Sequence, residues 1–215
     1  MSTLKNLQFD NIEPFLKSLG VRNSFCINLD DRSDRLGLSY HQFTKHNMKT
    51  KFYSAFNSKD LNIKSINSKF TPGMIGCFMS HYSLIRYAKI NNLSKIAIFE
   101  DDLIIDDSIS EILDDARKHL PEDWDVICLG WYFGDSKQKH KLVSPFWLKI
   151  DNWFGAHGYI LSKRAINKLN QELKKMTHEF DIQISELGKI GELNIYNLAP
   201  QLIHQSGSES NVQPK

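Results

Sequence analysis

The sequence predicts an α/β protein with a central, mainly parallel sheet flanked by helices. Short apolar runs of strand length alternate with longer segments of helical spacing, which is the pattern of a sheet covered on both faces. The runs at 24–29, 96–99 and 125–130 are mostly apolar rather than alternating, as strands buried on both sides require. Two of them end in charged clusters, Asp30-Asp31-Arg32 and Glu100-Asp101-Asp102. In open α/β sheets ligands bind beyond the carboxyl ends of the strands, so both clusters lie where a site is expected.

At 215 residues the default is one large domain, and the core needs no disulfide or structural metal. The boundaries read from the chain are a helical lead-in over 1–23, the main domain over 24–205 and a polar, mobile tail over 206–215. In the lead-in, Phe15, Leu16 and Leu19 have helical spacing and Gly20 is a stop. A strand follows at 24–29, a helix from Ser33 to about His46, and a second strand at 52–56. The Ser/Asn/Lys-rich stretch 57–70 reads as loop. Thr71-Pro72-Gly73 opens a strong helix, with Thr71 as N-cap and Pro72 as first residue, ending at Asn91-Asn92. The third strand, 96–99, is followed by a helix with Ser108 and Glu111 as a capping box, then the fourth strand, 125–130. Residues 131–146 are long, polar and Gly/Lys-rich, and read as a lid or acceptor loop. Strands at 147–150 and 155–161, a helix capped by Ser162, a short helix at 182–187 and a strand at 193–198 complete the pattern.

Composition excludes several functions. Twenty-seven basic against 25 acidic residues leave +2, too little for a nucleic-acid footprint, so no nucleic-acid partner is expected. Cys26, Cys77 and Cys128 are widely spaced, form no CxxC, and read as buried hydrophobes in a reducing compartment. No stretch approaches the roughly 18 apolar residues of a spanning helix, and the first ten residues hold no apolar signal core. These features predict a cytoplasmic protein. Lys137, Lys139, His140 and Lys141 offer peripheral contact with anionic lipid at the inner face of a membrane, or simply a solvated loop.

Six segments carry candidate chemistry. In an extended chain residues i and i+2 point the same way, so Glu100 and Asp102 can converge on one cation, and hard carboxylates suit Mn2+ or Mg2+ completed by substrate phosphates; the alternative is a solvated acidic turn. Asn28 interrupts an apolar strand and needs a partner if buried, while Arg32 and Arg35, one helical turn apart, can reach a diphosphate or merely offset nearby acids. Gly73 and Gly76 open a helix that carries Ser80 and His81, either as ligand contacts or as satisfied core polar groups. Later in the chain, His157 sits among small residues, Asp181 lies at a helix start where backbone N–H groups can hold a carboxylate, and His204 follows an apolar run as a candidate third metal ligand beside Asp102 and Glu100 or as a surface histidine.

Taken in order, Phe25 to Asp30 with Arg32 and Arg35, Gly73, Gly76-Cys77, Ser80-His81, Ile98 to Asp102, Trp124-Asp125, Gly155 to Tyr159, Phe180-Asp181 and Pro200 to Ser206 resemble glycosyltransferase family 25, the lipooligosaccharide and collagen galactosyltransferase type. The resemblance covers about residues 24–210; residues 131–146 show no signature of it. It implies a single GT-A-like domain, a UDP-sugar donor (usually UDP-galactose), a glycan or glycolipid acceptor, a divalent cation and inversion at the anomeric carbon. On that reading Asn28, Asp30, Arg32, Arg35, Ser80, His81, Glu100 and Asp101 serve the nucleotide-sugar, Asp102 with Glu100 and His204 the metal, and Asp181 is the base, with His157 and Glu179 next in order. Competing readings of the same acidic cluster are a metal-dependent nucleotidyl or phosphoryl transferase, whose nucleotide-hydrolase version is disfavoured by the lack of a P-loop motif, and a non-catalytic nucleotide-sugar-binding domain.

Overall fold

A computed structural model of the chain describes residues 4–5, 14–57, 69–132 and 140–207. The apolar runs form strands of one nine-stranded sheet: β1 (Leu4–Lys5), β2 (Ser24–Asn28), β3 (Lys51–Ser54), β4 (Lys95–Glu100), β6 (Val126–Gly130), β7 (His140–Ser144), β8 (Trp147–Ile150), β9 (Gly158–Ser162) and β10 (Ile195–Leu198). β5 (Leu103–Ile105) and β11 (Ile203–Gln205) make a separate antiparallel pair. The order in the large sheet is β1-β3-β2-β4-β9-β6-β10-β8-β7. β3, β2, β4, β6 and β10 run in one direction and β9 runs against them, between β4 and β6.

Alternate residues of each central strand feed opposite cores, which is why the middles of these strands are apolar on both faces. Phe25, Ile27, Ile96, Ile98, Val126 and Cys128 pack with α3 (Pro72–Ile90), α5 (Lys163–Glu172) and α6 (Phe180–Lys189). Cys26, Ala97, Phe99, Ile127 and Leu129 pack on the other face with α1 (Pro14–Ser18), α2 (Ser33–Lys45) and α4 (Ile109–Ala116). The result is a helix–sheet–helix sandwich. Among the described residues no helix is long and apolar enough to cross a membrane.

Helix ends follow the sequence signals with one exception. Thr71 Oγ1 accepts from the Met74 N–H at 3.2 Å, and Asn91 and Asn92, the latter at φ 51°, close α3. Ser162 Oγ caps α5 through the Ala165 N–H. The Ser108–Glu111 capping box does not form: the Ser108 side chain and N–H both turn back to Asp106 Oδ1, at 2.5 and 2.8 Å. Two assignments change. Residues 140–144, read as loop, are the edge strand β7 paired with β8, because Leu142 meets Leu148 across the hairpin; positions 133–139 of the expected lid lie outside the described residues, as do 58–68 of the loop and 208–215 of the expected tail. Of the basic segment, Lys137 and Lys139 fall outside as well, while His140 and Lys141 are exposed on β7. The lead-in also contributes to the sheet, through β1 beside β3.

The antiparallel direction of β9 decides where the site forms. Its N-terminal end lies at the C-terminal ends of β4 and β6, so residues 155–157 sit beside Glu100 and the Glu100 N–H donates to the His157 carbonyl at 3.0 Å.

Candidate active site

A cleft of about 730 Å3 opens at this edge. Its floor is the acidic turn after β4; its walls are the first turns of α3, the 154–157 segment before β9, and the start of α6, with Tyr132 and Gln205 at its mouth.

Asn28 explains the polar break in β2. Its Nδ2 donates to Asp101 Oδ2 at 2.6 Å and to the Arg32 carbonyl at 3.1 Å, tying the ends of β2 and β4 together. Arg35, buried at the start of α2, reaches across with Nη1 3.1 Å from Asp101 Oδ1 and 3.5 Å from Asp102 Oδ2. Asp101 is thus a structural acceptor beneath the cleft. Burial raises its pKa, and the Asn28 and Arg35 hydrogen bonds pull it back. Asp102 has less support. Its Oδ1 is buried without a hydrogen-bond partner, and burial with the Glu100 charge pushes its pKa up to about 6, against the opposing pull of Arg35.

Glu100, at the very end of β4, stands between two imidazoles. Its Oε1 lies 3.4 Å from His81 Nε2 and its Oε2 3.4 Å from His157 Nδ1. Burial alone would raise the carboxyl, but these two contacts hold it well below the usual carboxylate range. His81 is fixed from behind: Nδ1 lies 2.8 Å from the buried Tyr159 hydroxyl and the ring stacks on Phe180 with centroids 4.4 Å apart. His157 Nε2 is buried with no partner, under the edge of the Tyr132 ring. Gly155, at φ 82°, permits that packing, since a Cβ there would stand 2.8 Å from the His157 ring.

Asp181 lines the opposite wall. Its Oδ2 accepts from the Gly155 N–H at 2.8 Å and its Oδ1 from the Ile182 N–H at 2.9 Å, so the start of α6 holds the carboxylate as the sequence suggests. Burial raises its pKa, against those two hydrogen bonds.

Of the remaining sequence candidates, Ser80 is buried with its hydroxyl accepting from the Phe56 N–H and donating to the Gly76 carbonyl, which fixes the 55–57 wall. Asp30 accepts from Ser54 Oγ, and Arg32 pairs with Asp34 at the surface; neither lines the cleft. The paired-arginine reading is therefore corrected, because Arg35 is drawn under the acidic turn while Arg32 is held outside. His204 faces solvent beside exposed Ile104 on the β5–β11 pair, and strand alternation turns its neighbour Gln205, not His204, toward the cleft. Asp125 lies at the far end of β6 and braces Arg164, Ser162 and the Asn194 N–H.

Sequence reasoning missed Cys77, Tyr132 and Gln205. Cys26 and Cys128 are buried hydrophobes as expected, but Cys77 is only partly buried and lines the cleft. Its Sγ, a His81 ring nitrogen and a Glu100 oxygen all lie within 4.8 Å of one another. The available signal was the four-residue spacing of Cys77 and His81, which puts both on one helix face. Tyr132 and Gln205, 73 residues apart, are joined by a hydrogen bond that local sequence does not disclose.

Residues 21–184 match the family model described as glycosyltransferase family 25 (LPS biosynthesis protein). Similar curated proteins include a glycosyltransferase 25 family member of Aedes aegypti, 26% identical over 72% of this chain and 28% of that protein. The lipooligosaccharide biosynthesis protein lic2B of Haemophilus influenzae is 26% identical over 86% of this chain and 76% of its own length. Procollagen galactosyltransferase 2 of Homo sapiens is 25% identical over 75% and 29%. The chain thus spans less than a third of the two animal proteins. Among solved structures, a glycosyltransferase involved in glycosylation of the major capsid of PBCV-1 aligns with a TM-score of 0.52 at 7% identity, over 87% of this chain and 93% of that one, a likeness of fold.

Proposed function

The chain belongs to glycosyltransferase family 25, a family of sugar-transferring enzymes, and from that premise we propose that it moves a hexose, galactose by analogy with its relatives, from a UDP-sugar to a glycan or glycolipid acceptor such as lipooligosaccharide. The proposed transfer inverts the anomeric carbon and uses Mn2+ or Mg2+. The observation that carries this reading is Asp102 Oδ1, a buried, unpartnered carboxylate oxygen beside Glu100 on the floor of the cleft.

The residues present fit a hard divalent cation. Glu100, Asp101 and Asp102 are faced by the Arg35 guanidinium and two imidazoles, and the orphaned oxygen of Asp102 lacks the donor or cation that a buried carboxylate needs. Asp102 would hold the metal together with Glu100, and the metal would supply charge neutralisation to the departing diphosphate. His204, exposed to solvent, is left out of this proposed set. Asn28, Arg35 and Asp101 are positioning residues that keep the turn at 101–102 in place.

Asp181 is the proposed base. An inverting transfer needs one group that takes the acceptor hydroxyl proton as the oxygen attacks the anomeric carbon. Asp181 lines the cleft with its oxygens accepting from the Gly155 and Ile182 N–H groups, and burial makes the carboxylate more basic. His157 is the second choice. Its Nδ1 is oriented by Glu100, but its Nε2 is covered by Tyr132 and Gly155, so it meets a substrate only after Tyr132 moves.

A panel of UDP-hexoses, assayed for UDP release with and without a glycan acceptor, tests the proposal. Release from one donor that is stimulated by acceptor and yields a product of opposite anomeric configuration supports it. Silence across the panel, or retained configuration, overturns it.

A further inference from the structure

We propose that Cys77, His81 and Glu100 form a second kind of metal site in the cleft, one that takes a zinc-class cation through a thiolate, an imidazole and a carboxylate. The three donor atoms already lie within 4.8 Å of one another. Zn2+ bonds of about 2.0–2.3 Å place tetrahedral ligands about 3.5 Å apart, so closing the site needs movements of only about 1 Å by side chains that converge from α3 and β4. All three residues line the cleft, so a fourth ligand would come from it. The donor set is the one borderline-soft cations prefer, and a hard ion such as Mn2+ gains little from sulfur.

The surroundings are built for it. Cys77 and His81 are four residues apart on α3, so the helix itself sets their spacing. The buried Tyr159 hydroxyl lies 2.8 Å from His81 Nδ1, and with its oxygen accepting from Nδ1–H it fixes the tautomer that leaves Nε2 free to bind a metal. Stacking on Phe180 holds the ring in its plane. Cys26 and Cys128 are fully buried elsewhere, so among the described residues Cys77 is the one thiol facing this cleft. As the sulfur–metal bond forms, the thiol proton passes to solvent. The site itself rests on geometry alone. Its consequence, that a zinc-class ion captures Glu100 and inhibits transfer, rests on the reading of Glu100 above.

Cobalt(II) is the probe, because thiolate ligation gives it a charge-transfer absorption that carboxylate and imidazole do not. The proposal expects one equivalent of Co2+ to produce that band in the whole chain, Zn2+ to remove it by displacement, and excess Mn2+ to leave it in place. Cys77→Ser should abolish the band and weaken Zn2+ binding by about two orders of magnitude. Tyr159→Phe, which keeps all three ligands, should weaken it by about 10- to 100-fold. Absence of the band in the wild-type chain, its persistence in Cys77→Ser, or its displacement by Mn2+ as readily as by Zn2+ would each overturn the proposal. These readouts do not depend on turnover, so a failed transferase assay leaves them intact.

Discussion

Burial and the neighbouring Glu100 charge push the Asp102 carboxyl up to about 6, despite Arg35 3.5 Å away. The sign of the linkage follows. With its folded pKa above the ordinary 3.8, Asp102 favours the folded state below about pH 4 and loses that contribution as pH rises through 6. At pH 7 the ionised side chain costs on the order of 3 kcal/mol. Asp102→Asn in chelator is therefore expected to raise Tm at pH 7 by several degrees and to leave it nearly unchanged at pH 4; equal effects at both values would refute the assignment of strain to this carboxylate. Arg35 shows the converse. Arg35→Met removes the cation shared by Asp101 and Asp102 and should destabilise the fold by about 3 kcal/mol, read by urea denaturation. Asp181→Asn keeps the size of the side chain but only one acceptor oxygen for the Gly155 and Ile182 N–H groups. It should lower kcat by about two to four orders of magnitude with donor affinity unchanged; a parallel loss of donor affinity would make Asp181 a binding residue instead. The sequence showed which residue types gather at the strand ends but not how they share the work. Asp101 turned out to serve Asn28, 73 positions away, and that division depends on a contact between strands.

Elements were legible where their signals are local. The Thr71-Pro72 start of α3 and the Ser162 cap of α5 depend on residues within one turn, and both formed. What local signals omit is strand direction and edge pairing. Nothing in Gly158–Ser162 states that it runs against its neighbours, yet that reversal brings His157 and Gly155 to Glu100. The β5–β11 pair is equally non-local, and it is the reason His204 faces outward. Gly155 tests this level directly. Gly155→Ala meets both a left-handed backbone and a Cβ 2.8 Å from His157, so it should cost about 1–3 kcal/mol in thermal unfolding and disturb the His157–Glu100 contact. Near-wild-type stability would mean that the segment is looser than its packing implies.

At the scale of the whole molecule, two cores on opposite faces of one sheet hold the strand ends in register, and the charged turns they present cost stability that a bound cation would offset. A divalent cation that binds the folded chain alone raises its stability by about 3 kcal/mol at a hundred times its dissociation constant. Excess Mn2+ should therefore raise Tm of the wild-type chain and leave that of Asp102→Asn almost unmoved. The most direct test of the account is turnover itself: UDP release from the preferred UDP-hexose, measured with Mn2+ and with chelator, for the wild-type chain and for Asp102→Asn shown to be folded. The account predicts cation-dependent release by the wild type and release at the background rate by the variant. Wild-type turnover by folded Asp102→Asn, or turnover indifferent to chelator, would contradict it.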